Sequence, residues 1–504
     1  MEGIELLLNI PLELADDVFG SYLQWRDVVR IDSAACSKIK RELILTMLYE
    51  NRKVSFPYGT NSKSLETCEA QNALAKWVLM RAVKLTSVRI SDAFYMCGTN
   101  WKMYLSLYGQ YVTTVYHGKL QQLSHPSTDY VMTSHEVWLL CPNIQLLNIL
   151  SLDSNSIEHC WPRSLLRIII HNDICFAALK AIAVQCILLS TICCLNSNRI
   201  TDDEWVWFFS HCSTALTDCL LWSVLLSDNI LYALSGRCSM LATLDIGWSA
   251  GSHCTYTNAG LVALAKGCSK LKYFYFPGEN SITDVGVSAI ARNGKLTSLR
   301  LVNLLHITDA TIHVATQYCR ALSEVVINNC PNISVKVLLV QLVNNKQAIK
   351  HLSFSHQDQL CDNDVLYLVK HFQHLTSIAL CNIPHITDTA IYALARNSLR
   401  LKRVALNGLW ISDATVEAIT KSNNSLNFIS LSGCTKLTDA SLCSIGTHCK
   451  CLMKCSIEGT SITLEGLKHL KSCKKIVFVT VCAAVGSAEY LQLILGKNGF
   501  IARK

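Results

Sequence analysis

Proline is scarce in this chain of 504 residues, which contains 8 of them. Long semi-rigid linkers are therefore not a main feature of its design. Charge is sparse as well: 16% of residues are charged against 50% hydrophobic, a balance that excludes a disordered chain. No basic run exceeds a few residues. The formal net charge of +8 is spread over 45 Lys and Arg and 37 Asp and Glu. Without cations gathered on one face, no nucleic-acid partner is expected. A glycine-rich phosphate loop following a strand is also missing. The opening Met1-Glu2-Gly3-Ile4-Glu5 lacks a positive segment ahead of Leu6–Leu8, and Asp16-Asp17 follow soon after. That is unlike a secretory leader. An odd count of 25 Cys then suits a reduced compartment, cytoplasmic, nuclear or both. Ile174 to Cys194 is apolar except for Lys180 and Gln185 and approaches the length of a membrane span. The repeat register described next divides it into a helix and a strand, so no membrane association is expected.

What the sequence does contain is a period. Leu-x-x-Leu-x-Leu recurs as Leu271/Phe274/Phe276, Leu296/Leu299/Leu301, Leu322/Val325/Ile327, Ile349/Leu352/Phe354, Leu375/Ile378/Leu380, Leu401/Val404/Leu406, Leu426/Ile429/Leu431 and Leu452/Cys455/Ile457. The starts step by 25, 26, 27, 26, 26, 25 and 26 residues. A second landmark keeps pace with it: Ile282-Thr283-Asp284, Ile307-Thr308-Asp309, Ile386-Thr387-Asp388, Ile411-Ser412-Asp413 and Leu437-Thr438-Asp439. Thr or Ser there caps a helix, and Asp occupies the first turn, where the helix dipole favours negative charge. Apolar residues follow at four and seven positions after the cap (Val287/Ile290, Ile391/Leu394, Val416/Ile419, Leu442/Ile445), which lie on one helix face. The third residue after the cap is small at Gly260, Gly286, Ala390, Ser441 and Gly466, which lets neighbouring helices lie close. Each unit is thus a short strand and a returning helix that cannot bury its apolar face alone, so copies must stack.

The cysteines share the register. Cys238, Cys268, Cys319 and Cys449 sit three residues before a strand leucine, while Cys330 and Cys434 sit three residues after the last strand apolar. They read as small buried hydrophobes. Leucine, cysteine and the Ile-Thr-Asp step together resemble the cysteine-containing subclass of leucine-rich repeats, most clearly in Gly260–Cys268 and Leu431–Asp439. The resemblance implies an α/β fold: a curved right-handed leucine-rich-repeat solenoid with parallel strands inside and helices outside. The repeat region is expected over 85–504, with its clearest copies at 189–470. Weaker copies are Leu189/Ile192/Cys194, Leu216/Cys219/Leu221 and Leu241/Leu244/Ile246, and fainter ones are Leu85/Val88/Ile90, Val112/Val115 and Ile144 with Leu147/Ile149. A last strand is expected near Ile476–Val481 and a closing helix over Ser487–Leu495.

Residues 1–50 follow another pattern. Leu14, Val18 and Tyr22, with Ala15, Phe19 and Leu23 beside them, form one apolar stripe after Pro11. Further helices fit Asp27–Ala35 and Ser37–Glu50. Ile10-Pro11, Glu13-Leu14, Val18-Phe19, Tyr22-Leu23, Asp27-Val28-Val29 and Cys36 make this stretch resemble an F-box, although Cys36-Ser-Lys-Ile39 lacks the Trp that this family places shortly after the Cys. The resemblance implies that Pro11, Leu14, Val18, Leu23 and Val28 face the adaptor subunit of an SCF-type ubiquitin ligase. The other reading is a three-helix cap on the first repeat. Residues 51–84 join the parts, with a turn-rich loop at Phe56–Ser62 and a docking helix over Ala73–Val83.

Catalysis by this chain is not expected. The pairs His159-Cys160, His211-Cys212 and His448-Cys449, the last with Cys451, lack the doubled short-spaced ligands of a zinc site, and Cys449 has a repeat position already. His306 and His385 read as solvated loop residues. No metal, cofactor or small-molecule substrate is expected. On each strand the residues between the buried apolars point out of the sheet. Aromatic residues and arginine are the usual interface anchors, which selects Trp248, Tyr273, Tyr275, Arg300, Arg403 and Phe428 as candidates for holding a protein target. The step of 30 from Leu241 to Leu271 places a longer loop at Ser249–Asn258 beside Trp248. Two functions fit: a target receptor for the ligase, or a recognition scaffold outside the ubiquitin system.

Overall fold

The computed structural model describes residues 99–117, 139–149 and 161–481, apart from 173, 196–198, 223, 225, 247–254 and 276–280, together with Leu79 and the backbone of 87–90. The expected F-box-like helices, the connector apart from Leu79, which is helical, and the closing helix lie outside the described residues. The chain divides into two compact units, residues 1–224 with 236–240 and residues 225–235 with 241–504. In both, the fold is that of a leucine-rich-repeat solenoid.

In the first unit six parallel strands pair in sequence order: β1 (Ser87–Ile90), β2 (Thr114–His117), β3 (Leu146–Ile149), β4 (Arg167–Ile170), β5 (Thr191–Cys194) and β6 (Asp218–Leu221). Helices α1 (Thr99–Tyr108), α2 (Phe176–Gln185) and α3 (Asp202–His211) return the chain. The apolar stretch at Ile174–Cys194 is α2 followed by β5, and no helix among the described residues is long and apolar enough to cross a membrane. Strand β4, with Ile168 and Ile170 fully buried beside the preceding Leu165, adds a repeat to those expected. The core of α3 is aromatic: Trp205 stacks on Phe209 at 5.6 Å and meets Phe208 edge-on at 5.8 Å.

The second unit continues the plan through β7 (Thr243–Asp245), β8 (Tyr273–Tyr275), β9 (Ser298–Val302), β10 (Glu324–Asn328), β11 (His351–Ser355), β12 (Ser377–Cys381), β13 (Arg403–Ala405), β14 (Phe428–Ser430), β15 (Lys454–Ser456) and β16 (Phe478–Thr480). Each pairs in parallel with the next. Helix α4 (Asp228–Arg237) precedes β7. Parallel neighbours need a crossover, supplied here by helices α5 (Asn258–Gly267), α6 (Asp284–Ala291), α7 (Asp309–Tyr318), α8 (Val335–Asn344), α9 (Asp362–His371), α10 (Asp388–Asn397), α11 (Asp413–Ser422), α12 (Asp439–His448) and α13 (Leu464–Leu467). Strand apolars such as Val325 and Ile327 and helix apolars such as Leu338 and Leu342 fill the layer between sheet and helices.

The Ile-Thr-Asp step does more than start a helix. Thr438 accepts a hydrogen bond from the Ala440 N–H as its own helix cap. It also gives its backbone N–H (2.9 Å) and its hydroxyl (2.7 Å) to the two carboxylate oxygens of Asp413, one repeat earlier, and Ser441 Oγ donates to the same carboxylate at 2.5 Å. The clamp recurs from Asp228 to Thr257, Asp284 to Thr308, Asp362 to Thr387, Asp388 to Ser412 and Asp439 to Thr463. Asn258 does the same work for Thr283 and Gly286. The small third residue now has a specific cause. A Cβ at Gly260, Gly286 or Gly466 would collide with the acid or amide of the preceding repeat, whereas Ser441 and Thr311 bond to it. Where α8 begins with Val335 and offers no acid, the next helix supplies its own: Asp364 accepts from the Cys361 backbone N–H at 3.0 Å.

The cysteines are the second inter-repeat device. Cys268, Cys319 and Cys449 are C-cap residues with fully buried side chains. The Cys319 thiol donates to the carbonyl of Ala291 (3.1 Å) and the Cys434 thiol to that of Leu406 (2.9 Å), each in the repeat before. Burial pushes Cys268 and Cys449 up to about 12, and Cys319 and Cys434 to about 11. They are protonated at neutral pH and unreactive.

Two predictions follow from this lattice of contacts. Asp413→Ala removes the acceptor for three donors and is expected to destabilise the protein by about 1–3 kcal/mol in denaturant unfolding, while Asp413→Asn, which reproduces the arrangement at Asn258, loses less. At Asp413, burial opposes ionisation, but bonds from Ser441 and Thr438 outweigh it and hold the carboxyl below its ordinary 3.8. Its contribution is therefore full above 3.8 and lost as pH falls through the depressed value, so the gap between wild type and Asp413→Ala is expected to close on acidification. For the cysteines, iodoacetamide on the native protein is expected to modify the exposed Cys443 and Cys451, and to reach Cys268, Cys319, Cys434 and Cys449 only after denaturation.

Candidate functional site

The side chains between the buried strand apolars form rows on the open face of the sheet, and the register aligns them. Tyr273 stands beside Ser298, which stands beside Glu324 and then His351. Further on, Ser377, Arg403, Phe428, Lys454 and Phe478 continue the row. Two clusters arise on this face of the second unit.

The first is centred on Arg300 of β9. Its Nη2 donates to Glu324 Oε1 at 2.6 Å, and Ser298 Oγ donates to the other Glu324 oxygen at 2.7 Å. The guanidinium carbon lies 5.2 Å from the centre of the Tyr273 ring and 6.0 Å from that of Tyr275. Tyr273 donates its hydroxyl to Asp245 at 3.3 Å. Burial alone would lower the Arg300 pKa, but the bonded Glu324 carboxylate raises it. Burial, then the Asp245 charge, pushes both tyrosines upward. The rings thus stay neutral and the arginine stays charged. One guanidinium donor, Nε, is buried without a hydrogen-bond partner.

The second cluster is more open. Arg403 of β13 sits over the Phe428 ring at 4.4 Å, and Lys454 of β15 over the Phe478 ring at 5.9 Å. Cation and ring alternate across four consecutive strands in one register. The neighbouring row is small there, with Ala405, Ser430 and Ser456, so the larger side chains stand clear of it. Trp410, 68% exposed, carries Lys436 against its ring at 4.8 Å.

The six residues selected as target contacts therefore separate. Tyr273, Tyr275 and Arg300 come together; Arg403 and Phe428 come together four strands away from Arg300, about 19 Å at roughly 4.8 Å per strand. Trp248 and most of the loop beside it lie outside the described residues, as do Pro11, Leu14, Val18, Leu23 and Val28. Residues not selected belong to the clusters too: Asp245, Ser298 and Glu324 in the first, Lys454 and Phe478 in the second. The period carried a signal for them, because each holds the same strand position as a selected residue. Of the histidines weighed as ligands, His448 bonds the carbonyl of Ser444 at 3.0 Å, and His306 and His385 are exposed. No group of three or more His, Cys, Asp or Glu placed to hold a metal ion occurs among the described residues.

No family model matches the chain. Solved structures similar to it include the yeast Rad7 and Elc1 complex, 16% identical over 88% of this chain and 95% of that one, with a TM-score of 0.43. An internalin, InlF, from Listeria monocytogenes is 15% identical over 75% of this chain and 92% of that one, TM-score 0.33. The complex of TLR13 with ssRNA13 is 15% identical over 76% of this chain and 57% of that one, TM-score 0.37. At such identities and scores the binding properties of those proteins stay with those proteins.

Proposed function

We propose that this chain is a substrate-recognition subunit of an SCF-type cullin-RING ubiquitin ligase. Its N-terminal helices bind the ligase adaptor through Pro11, Leu14, Val18, Leu23 and Val28, and the open strand face of its repeats holds a target protein. The observation that carries the target half is the pair of arginine–aromatic clusters on that face, since such groups anchor protein interfaces when desolvated. The order of the sequence, an F-box-like segment ahead of leucine-rich repeats, supports the adaptor half. In this reading the chain performs no bond chemistry and contributes by positioning its target.

The clusters have different parts. Arg300 is already bonded to Glu324, so its group serves as a rigid, preformed patch. Arg403, exposed over Phe428, has donors available to an incoming carboxylate or backbone carbonyl.

Capture by purified adaptor tests the first half. Wild type is expected to be retained and Leu14→Ala/Val18→Ala lost, with unfolding curves confirming that the repeats remain folded. Failure of wild type to bind would leave a recognition scaffold whose first helices cap the solenoid. For the second half, Arg403→Glu/Phe428→Ala is expected to lower recovery of co-purifying targets at least about tenfold, roughly 1.4 kcal/mol, with adaptor capture intact. Unchanged recovery would remove the open face from β13 to β14 as the target site.

A further inference from the structure

In the second unit, the segments from the last helical turn to the start of the following strand form one edge of the solenoid. The residues just before each strand are joined across it by backbone hydrogen bonds: Lys402 N–H to Thr376 O, Asn427 N–H to Lys402 O, Met453 N–H to Asn427 O and Val477 N–H to Met453 O, all at 2.8 Å. Charge on this edge has one sign. Segments 266–272, 292–297, 320–323, 346–350, 370–376, 396–402, 421–427, 450–453 and 471–477 hold seventeen Lys or Arg, all exposed, and not one Asp or Glu. The first-turn carboxylates of this unit lie at the opposite ends of the helices, where the clamps use them. Some of these cations bond neutral acceptors and keep their charge: Arg320 donates to Asn345 and Lys450 to the carbonyl of Gly446.

Helix dipoles account for only part of this. A cation in the last helical turn is favoured, but the effect fades within that turn, and Lys402 and Lys475 lie beyond it against the sheet. A run of like charges with no carboxylate in its own segments repels itself and favours a polyanionic neighbour. Exposed aliphatic residues point to which one. Leu399 is 61% exposed, Met453 46% and Val477 54%, and each lies among the edge cations. Aliphatic side chains of this kind give nothing to a phosphate backbone. Binding single strands of nucleic acid calls for rings on which bases stack, and from 396 to 402, 421 to 427, 450 to 453 and 471 to 477 there is no aromatic residue.

We infer that this edge is a second docking surface, separate from the open strand face, for an acidic segment of a partner protein with apolar side chains set among its carboxylates. The densest stretch runs from β13 to β16, three strand steps or about 14 Å, the span of roughly four residues of extended chain. A segment lying there would place carboxylates against Lys402, Lys450 and Lys475 and aliphatic groups against Leu399, Met453 and Val477. The surface holds whether or not the N-terminal helices bind an adaptor. It also explains how a chain with no long basic run carries a basic face: the cations are spaced by the repeat and gathered only by stacking.

The test uses the full-length chain and fluorescence anisotropy with three labelled probes: a peptide repeating Glu-Glu-Leu, one of equal charge repeating Glu-Glu-Ser, and an oligothymidylate. The Glu-Glu-Leu peptide is expected to bind several-fold more tightly than the other two, with affinity that falls as salt rises. Lys402→Glu/Lys450→Glu/Lys475→Glu should weaken it at least about tenfold. Leu399→Ser/Met453→Ser should remove its advantage over the Glu-Glu-Ser peptide. Lys336→Glu, near the start of α8 at the other edge, should change nothing; unfolding midpoints close to wild type establish that the variants are folded. Absence of binding, equal affinity for the two peptides, an equal effect of Lys336→Glu, or tighter binding of the oligothymidylate would each overturn the inference.

Discussion

The hydrogen-bonded clamp between the first-turn Asp of one helix and the capping Thr or Ser of the next is the constraint on which the second unit rests. Asp413 satisfies a backbone N–H that would otherwise be an orphan at a helix start, fixes a hydroxyl that in turn caps its own helix, and does both across a repeat boundary. A helix start leaves several N–H groups without partners. Here one carboxylate serves the next repeat's cap, so capping and stacking become the same interaction. The clamp tolerates a change of unit length: Asp228 and Thr257 are 29 residues apart, Asp413 and Thr438 25. The exception at Cys361 shows the need for the partner: with Val335 unable to accept, Asp364 of the same helix takes over.

Regular stacking decides what the open face displays. Inward positions are taken by Leu, Ile, Val, Phe and Cys, so alternate residues must face out and align strand by strand. The alignment gives the two arginines different chemistry. Arg300 meets Glu324 in the next strand, with Asp245 two strands back beside Tyr273, and its charge is used internally. Arg403 meets a ring instead of a carboxylate, so its donors remain turned outward. The clamp also sorts charge. Acids are held at helix starts, cations remain at helix ends, and stacking turns that local preference into one continuous basic edge.

Much of the fold was legible because its signals are local. The strand apolars, the helix faces at Val287/Ile290 and Leu442/Ile445, the division of Ile174–Cys194 and the last strand near Ile476–Val481 all depend on residues within a few positions of one another. Strand β4 escaped although Leu165, Ile168 and Ile170 carry the same apolar spacing. The role of the first-turn Asp was legible only by half. Its place beside the helix dipole is local, while its main partner, the next cap, lies 24 to 29 residues away.

The sequence by itself determined the unit: a strand, a capped helix and a buried cysteine, repeated because none can bury its apolar face alone. Tertiary structure decided everything that depends on which residues of different units become neighbours. It joined Arg300 to Glu324, set Arg403 on Phe428, parted those two clusters by four strands, and collected scattered lysines along one edge. The reason is that contacts across strands are fixed by register, and register brings together residues about 26 positions apart, each unremarkable in its own segment.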